Sequence, residues 1–376
     1  MTPSNSHAPL PPSSAHCWVQ CAGWRSLAAQ FPQPEDDPKA MEGIAAHWAV
    51  AEVLSGRQID IGVVAPNGIV LDTEMCEGAD LMDDAIGNER SSLFVESRVN
   101  CTFVHHDNWG TPDAWRLHGR VLDVWDYKYG HRSVAAFENW QLLDYAAGIL
   151  DMLGFLDDMY VAPDRTIDKI RLTIVQPRDY HSEGPVRTWE LSVAMLQVYV
   201  DRLRAAARAS DDENAVCTAG AACRDCSASH ACATLQAASL DYADQSYRAI
   251  PLVLDNTQLA RQLAELDRGI ELMQARRAGL GEQATATIKR GESVPGWMVA
   301  QGNGRERWNV PVDEVITLAG MMGVAVAKPG LITPKQAVKA GLPAEVVAGY
   351  TETPKGELKL VRDDGTKARN VFNLGE

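Results

Sequence analysis

The 376-residue sequence predicts an α/β fold with a mixed central sheet flanked by helices. Three observations predict it. Short segments alternate apolar and polar residues or are rich in β-branched residues, longer segments place apolar residues at helical spacing, and the two kinds follow one another as strands, helix, strand, helix. The length allows one large or two medium domains. Hydrophobic residues make up 46% and charged residues 23%, within the range of ordinary globular chains. No window reaches about eighteen uninterrupted apolar residues, so no transmembrane helix is expected.

The elements follow in order. Residues 1–16, MTPSNSHAPLPPSSAH, are polar and proline-rich and read as a flexible arm. They lack the basic-then-apolar order of a signal peptide, which favours a cytoplasmic location. Residues 40–55, AMEGIAAHWAVAEVLS, are good helix formers stopped by Gly56. Residues 93–105, LFVESRVNCTFVH, alternate as a strand, and 116–129 supply a second and a third. ENWQLLDYAAGILDMLGF (138–155) is an amphipathic helix, IRLTIVQP (170–177) a β-branched strand, and TWELSVAMLQVYVDRLRAAAR (188–208) a helix. A cysteine-rich knot occupies 217–232. Residues 254–290 read as long helix, with Leu259, Leu263, Leu266 and Ile270 on one stripe and breaks expected at Gly279 and Gly281. The expected organisation is thus an arm (1–16), a core carrying the cysteines (17–235), a helical segment (236–295) and a small accessory domain (296–376).

Chemistry concentrates in two places. The first is Gly110-Thr111-Pro112-Asp113 followed thirteen residues later by Asp126-Tyr127-Lys128. Residues i and i+2 of a strand share a face, so Asp126 and Lys128 point the same way, and a hairpin can bring Asp113 to meet them. Two converging carboxylates repel unless a divalent cation sits between them, and hard oxygen ligands suit Mg or Mn. The bland alternative is an exposed hairpin with a cross-strand salt bridge. The net charge of −15 argues against a generally adhesive nucleic-acid binder but leaves room for a DNA enzyme with a local basic groove.

The second place is the cysteines. Cys217, Cys223, Cys226 and Cys232 form C-x5-C-x2-C-x5-C, a spacing that in a cytosolic chain points to metal rather than disulfides. Cys223, Cys226 and Cys232 supply three ligands. A fourth from Cys217 suits zinc, and a distant one such as Cys21, or Cys17 in its place, suits an iron–sulphur cluster that staples the two ends of the chain. His230 lies within the same loop. Cys76 and Cys101 stand apart from it.

Taken in order, these pieces resemble the RecB-like branch of the PD-(D/E)XK nucleases, especially the exonucleases associated with CRISPR adaptation. More closely they resemble a phage-associated, uncharacterised family of that superfamily with a C-terminal cysteine cluster. SSAHCWVQCAG carries Cys21 where such families place a first cluster ligand. Glu42-Gly43-Ile44-Ala45-Ala46-His47 is similar to their G-x-x-x-H helix, Asp113 to the first metal aspartate, and Asp126 and Lys128 to D-x-K. Gln141 and Tyr145 match a Q-x-x-x-Y helix, and Cys223, Cys226 and Cys232 the cluster triplet. The resemblance covers about residues 10–235, and the segment from 296, GWMVAQGNGRERWN, also looks like that phage family.

The resemblance implies a restriction-endonuclease-like core and a divalent-metal-dependent DNA exonuclease acting in phage or prophage recombination, replication or processing. It implies Mg or Mn held by His47, Asp113, Asp126 and the carbonyl of Tyr127, with Lys128 positioning water or neutralising phosphate charge. It implies Gln141 and Tyr145 as DNA contacts, at ends or single strands, and a 4Fe–4S cluster on Cys21, Cys223, Cys226 and Cys232, with Cys217 as alternative fourth ligand and zinc as alternative metal. Glu96 is a weaker acidic candidate and Glu74 weaker still. The rival implication is a catalytically weak DNA-binding or scaffold subunit of a recombination or replication complex. The sequence leaves oligomeric state open and predicts no membrane association.

Overall fold

The computed structural model describes residues 8–32, 38–156, 167–179, 181–245, 253–303, 307–308, 310, 312–326, 333–352 and 355–362. The chain divides into two units, Met1–Gly279 and Leu280–Glu376.

In the first unit, α1 (Pro38–Leu54) buries Ala45, Ala46, Ala49, Val50 and Leu54, a mostly small-residue face that lets a second helix approach closely. That helix, α2 (Thr73–Ile86), begins where the Asp72 side chain accepts from the Met75 amide at 2.9 Å. It buries Met75, Ala79, Met82 and Ile86, spaced by one helical turn or slightly less. The sheet then builds outward from β1 (Leu93–Val95) through β2 (Ala114–His118) and β3 (Val121–Tyr127). After β3 the chain makes α3 (Trp140–Met152), then β4 (Lys169–Val175), β5 (Val186–Leu191) and α4 (Val193–Ala209). The five strands lie side by side in chain order. β3 and β4 are parallel and every other neighbouring pair is antiparallel, which makes the sheet mixed.

Alternation along β3 decides the layers. Leu122 and Val124 join Leu142, Leu143, Ala146, Ile149 and Leu150 of α3 and Leu196, Val200 and Leu203 of α4 in one core. Trp125 and Tyr127 join the buried faces of α1 and α2 in another. Helices therefore cover both faces, and each fully buried large side chain contributes about 1.5–3 kcal/mol. Across β2, β3 and β4, buried Asp123 is held between Arg116 and Arg171.

Several expectations are corrected. Residues 8–16 of the expected arm are packed: Leu10 is fully buried, its amide bonds Asp107 O at 3.1 Å, and Trp18 Nε1 donates to Pro11 O at 3.0 Å. Residues 1–7 lie outside the described residues. The stretch 93–105 is not one strand, because after β1 the pair Val99–Asn100 turns to meet Trp109–Gly110. Thr188–Leu191 closes β5 instead of opening a helix, and α4 starts where Ser192 Oγ accepts from the Met195 amide at 3.2 Å. α2 is an additional helix that the sequence reading left out.

After the cysteine loop come α5 (Ala233–Gln245) and α6 (Asn256–Lys289). α6 is continuous through Gly279 and Gly281, contrary to expectation. Its Gly269, Leu272, Ala275 and Gly279 are buried, Leu272 and Ala275 against Leu235 of α5. A Cβ on Gly279 would lie 2.2 Å from Ser229 Oγ and 2.7 Å from His230 N. The glycine is there for close approach, not for a turn.

The second unit pairs β6 (Trp297–Asn303) with a late strand, β9, at Lys355–Arg362. Between them, β7 (Arg307–Trp308) pairs with β8 (Thr351–Glu352). Three helices, α7 (Val312–Met321), α8 (Pro334–Ala340) and α9 (Ala344–Gly349), surround a small core of Val315, Ala319, Val326, Ala337, Leu342 and Val347. Residues 304–306 and 309, within the segment singled out from 296, lie outside the described residues.

Candidate functional site

The β2–β3 hairpin brings its two aspartates together from opposite ends of the motif. Asp113 immediately precedes β2, and Asp126 sits near the end of β3, where Ala114 pairs with Trp125. Asp113 Oδ2 accepts from the Tyr127 amide at 2.6 Å, so the backbone of β3 itself fixes the first carboxylate. His47 reaches it from α1, Nδ1 donating to Asp113 Oδ1 at 2.7 Å, with its ring edge-on to Tyr127 at 5.4 Å. Glu96 follows β1, its amide bonding the Asp113 carbonyl at 3.1 Å. Ligand atoms of His47, Glu96 and Asp113 lie within 4.8 Å of one another.

Lys128, just past β3, places Nζ 2.9 Å from Asp126 Oδ2. Gln141, in the first turn of α3, completes a triangle: its Nε2 donates to Asp126 Oδ1 at 2.7 Å, and its Oε1 accepts from Lys128 Nζ at 2.8 Å. Asp126 Oδ2 is buried and has no aligned hydrogen-bond partner in the protein, the ammonium contact being electrostatic.

Burial pushes both carboxyls upward, and their partners decide differently. For Asp113, His47, the Tyr127 amide and Lys128 outweigh burial and hold it below the usual carboxylate range. For Asp126, burial wins over Lys128, with Asp113 adding to the upward shift. The His47 imidazole is shifted upward because Asp113 outweighs burial. Glu96 is raised to about 7 by desolvation and then by Asp113, although as a residue it is exposed; its carboxyl faces the pair while the rest meets water. Its backbone φ of 46° is uncommon for a residue with a side chain, and such strain concentrates at functional sites.

Other sequence candidates lie elsewhere. Tyr145 is 3% exposed and packed beneath Gly110, so its ring offers no stacking surface. One helical turn from Gln141, it falls where α3 turns into the core. Gln141 is engaged by Asp126 and Lys128. Glu74 is paired with Arg178 at 2.8 Å, which also contacts Glu42 and lies over the Tyr129 ring. A second imidazole–carboxylate group, His105, His106 and Asp107, was not singled out from the sequence. Arg25 already bonds both Asp107 and Asp211, and His105 Nε2 bonds Asp211 at 2.9 Å, so this group is a tether satisfied by protein cations.

The cysteines form the second site. All are free thiols. Cys217 is within hydrogen-bonding reach of both Cys21 and Cys232 and is pushed up to about 12, by burial first and then by those two sulfurs. Cys223 and Cys226 are close enough to Cys21 and Cys232 to be shifted by them. Backbone amides point at the sulfurs: Thr218 N to Cys21 at 3.3 Å, Gly220 N to Cys223 at 3.4 Å and Leu235 N to Cys232 at 3.5 Å. No three of these sulfurs fall within 4.8 Å of one another. Cys17 is buried and its thiol is directed at the Ala222 carbonyl at 3.7 Å, with His16 at 3.4 Å. Asp225, between Cys223 and Cys226, is held by His16 and Arg132, which ties the loop to the N-terminal segment. His230 packs edge-on against Phe31 at 4.7 Å. Cys101 is buried against Gly148 in the core.

Among the described residues, no helix is long and apolar enough to cross a membrane. The chain belongs to the family described as protein of unknown function (DUF2800), whose model matches residues 7–368.

Proposed function

We propose that this DUF2800 member is a divalent-metal-dependent DNA exonuclease built on a PD-(D/E)XK core of the RecB-like kind. Its role would lie in recombination, replication or processing of phage or prophage DNA in the host cytoplasm. One observation carries the reading: Asp113, just before β2, and Asp126, on β3, stand at the same end of the hairpin, with His47 bonded to the first and Lys128 beside the second.

The donor set fits a hard divalent cation such as Mg or Mn. Buried Asp126 Oδ2 lacks an aligned protein donor, and His47, Glu96 and Asp113 present ligand atoms to one small volume. His47, Asp113 and Asp126 would hold the ion, with the Tyr127 carbonyl and Glu96 at its side. When bound, such an ion lowers the pKa of water and offsets phosphate charge. The protein groups have their own tasks. Lys128 keeps a positive charge beside Asp126, where it stabilises negative charge developing on phosphoryl oxygens. Gln141 fixes the orientation of both groups at once and is a positioning residue. Tyr145 serves packing, not strand binding.

The cysteine site fits a cluster better than a single zinc. Bonds of about 2.3 Å at a tetrahedral zinc put sulfurs roughly 3.8 Å apart. The set without Cys217, with amides aimed at its sulfurs, suits a 4Fe–4S cluster held by Cys21, Cys223, Cys226 and Cys232, whereas Cys217, within hydrogen-bonding reach of Cys21 and Cys232, has the closer spacing of the alternative zinc ligand. Its role is to hold the ends of the core together.

Incubating the purified protein with end-labelled single- and double-stranded DNA and Mn tests the proposal. Wild type should shorten the labelled strand, and Asp126→Ala should lose more than about 100-fold of that activity, as expected on removing a principal electrostatic partner. No product from wild type with Mg or Mn, or equal product from Asp126→Ala, rejects the nuclease reading.

A further inference from the structure

Residues 129–139 connect β3 to α3, and both ends of this connection carry groups of the candidate site. Lys128 stands just before it and Gln141 just after it, and the two meet each other on Asp126. Whatever sets the course of the connection therefore sets where the ammonium and the carboxamide meet. Regular sheet pairing gives out at its first step, where the Lys128 amide bonds the Val175 carbonyl at the end of β4 at 2.9 Å. From there one side chain takes over. Gln176, the next residue after β4, is fully buried. Its Nε2 donates to the carbonyls of Gly130 at 2.7 Å and Arg132 at 2.6 Å, and its Oε1 accepts from the Val134 amide at 3.0 Å. The same Oε1 accepts from Arg187 of β5 at 2.7 Å, and that guanidinium also donates to the Val134 carbonyl at 2.9 Å.

Residues 130, 132 and 134 thus find on one carboxamide the backbone partners that a neighbouring strand would give them. Both donors and both acceptor positions of that group are used, a combination that neither a carboxylate nor an apolar side chain of the same length supplies. Further along, Asn139 Nδ2 donates to the Ala135 carbonyl at 3.0 Å and its Oδ1 accepts from the Leu142 amide at 3.2 Å, which carries the anchored course into the first turn of α3. The connection has a second hold, the pair of Arg132 with Asp225 of the cysteine loop. Those side chains are 51 and 28% exposed, and exposed ion pairs contribute little. The buried amide is the stronger anchor. We propose that Gln176 is a positioning residue for the candidate site, ordering residues 129–139 so that Lys128 and Gln141 meet on Asp126. The catalytic consequence rests on the nuclease reading, whereas the ordering of the connection does not.

Hydrogen exchange followed by mass spectrometry, on the full-length protein without DNA or added metal, reads the anchor directly. In Gln176→Met, which keeps the length and loses every hydrogen bond, the amides of 129–139 should exchange at least about tenfold faster than in wild type. Thr173→Val removes a buried hydrogen bond to Thr188 from the same strand and should leave those amides unchanged. In DNA shortening with Mn, Gln176→Met should lower kcat by about 10–100-fold with KM within about threefold, since a misplacement of about 1 Å costs about 100-fold in the chemical step. Thr173→Val should keep wild-type values. Unchanged exchange across 129–139 in Gln176→Met overturns the proposal. So does faster exchange with an unaltered kcat, or an equal loss of kcat in Thr173→Val. A wild type that cuts no DNA rejects the nuclease reading instead, and the exchange result still decides whether Gln176 orders the connection. If Gln176→Met does not fold, Gln176→Asn, which withdraws the same amide by one methylene, takes its place with the same expectations.

Discussion

Asp144 illustrates how much a single buried carboxyl can cost. It is fully buried on α3, the Asn108 side-chain amide donates to both its oxygens at 2.9 and 2.8 Å, and the Asn108 carbonyl oxygen has no partner. Burial raises this carboxyl to about 7 despite the amide. A protonated acid facing an amide can donate one hydrogen bond to it and accept another from it. The folded pKa therefore stands above the unfolded value of about 3.9. The stability tied to this group is fully present below about pH 4 and is lost as pH rises through about 7, on the order of 4 kcal/mol in all. Urea titrations at pH 5 and 8 should show Asp144→Asn gaining on wild type by several kcal/mol at the higher pH. An equal difference at both pH values would mean that Asp144 is already charged in the fold. The same contrast between a residue's type and its depth explains what was legible at the site. Asp113, Asp126 and Lys128 were readable because strand alternation and hairpin closure relate near neighbours in sequence. Tyr145 was misread because helical spacing assigns it the same side as Gln141 and says nothing of how deeply that side is set into the core.

At the scale of elements, glycine has opposite meanings in α1 and α6. Gly43 in α1 has nothing within 4 Å of where a Cβ would stand. Gly43→Ala should stabilise by up to about 1 kcal/mol through helix propensity alone. Gly279 in α6 faces backbone of the cysteine loop at 2.7 Å, so Gly279→Ala must push that loop away and should lower the melting temperature despite the same propensity gain. Thermal denaturation of the two variants side by side checks the prediction, and two shifts of the same sign would refute it. Periodicity recovered α1, α3, β3 and β4 because their buried faces repeat within a few residues. It misassigned Thr188–Leu191, a short stretch whose strand character comes from pairing with β4, more than ten residues upstream in the chain. It passed over α2, whose TEMCEGADLMDDAI mixes acids into a thin apolar face.

At the scale of the molecule, the first unit is closed by its ends. The N-terminal segment contributes His16 and Cys21, the segment after α4 contributes Cys217 through Cys232, and the two meet. Protein purified without oxygen should be brown, with a broad visible band that disappears in Cys232→Ser. A colourless wild-type protein with stoichiometric zinc would replace the cluster by a single ion. The Thr218 amide reaches the Cys21 sulfur across 197 positions of sequence. Any bond closed between these ends forbids the unfolded chain most of its extended conformations, and for a loop of this length the loop-closure entropy is worth about 5 kcal/mol. Loss of the cysteine site should therefore lower the stability of the whole cooperative unit, elements that touch no sulfur included.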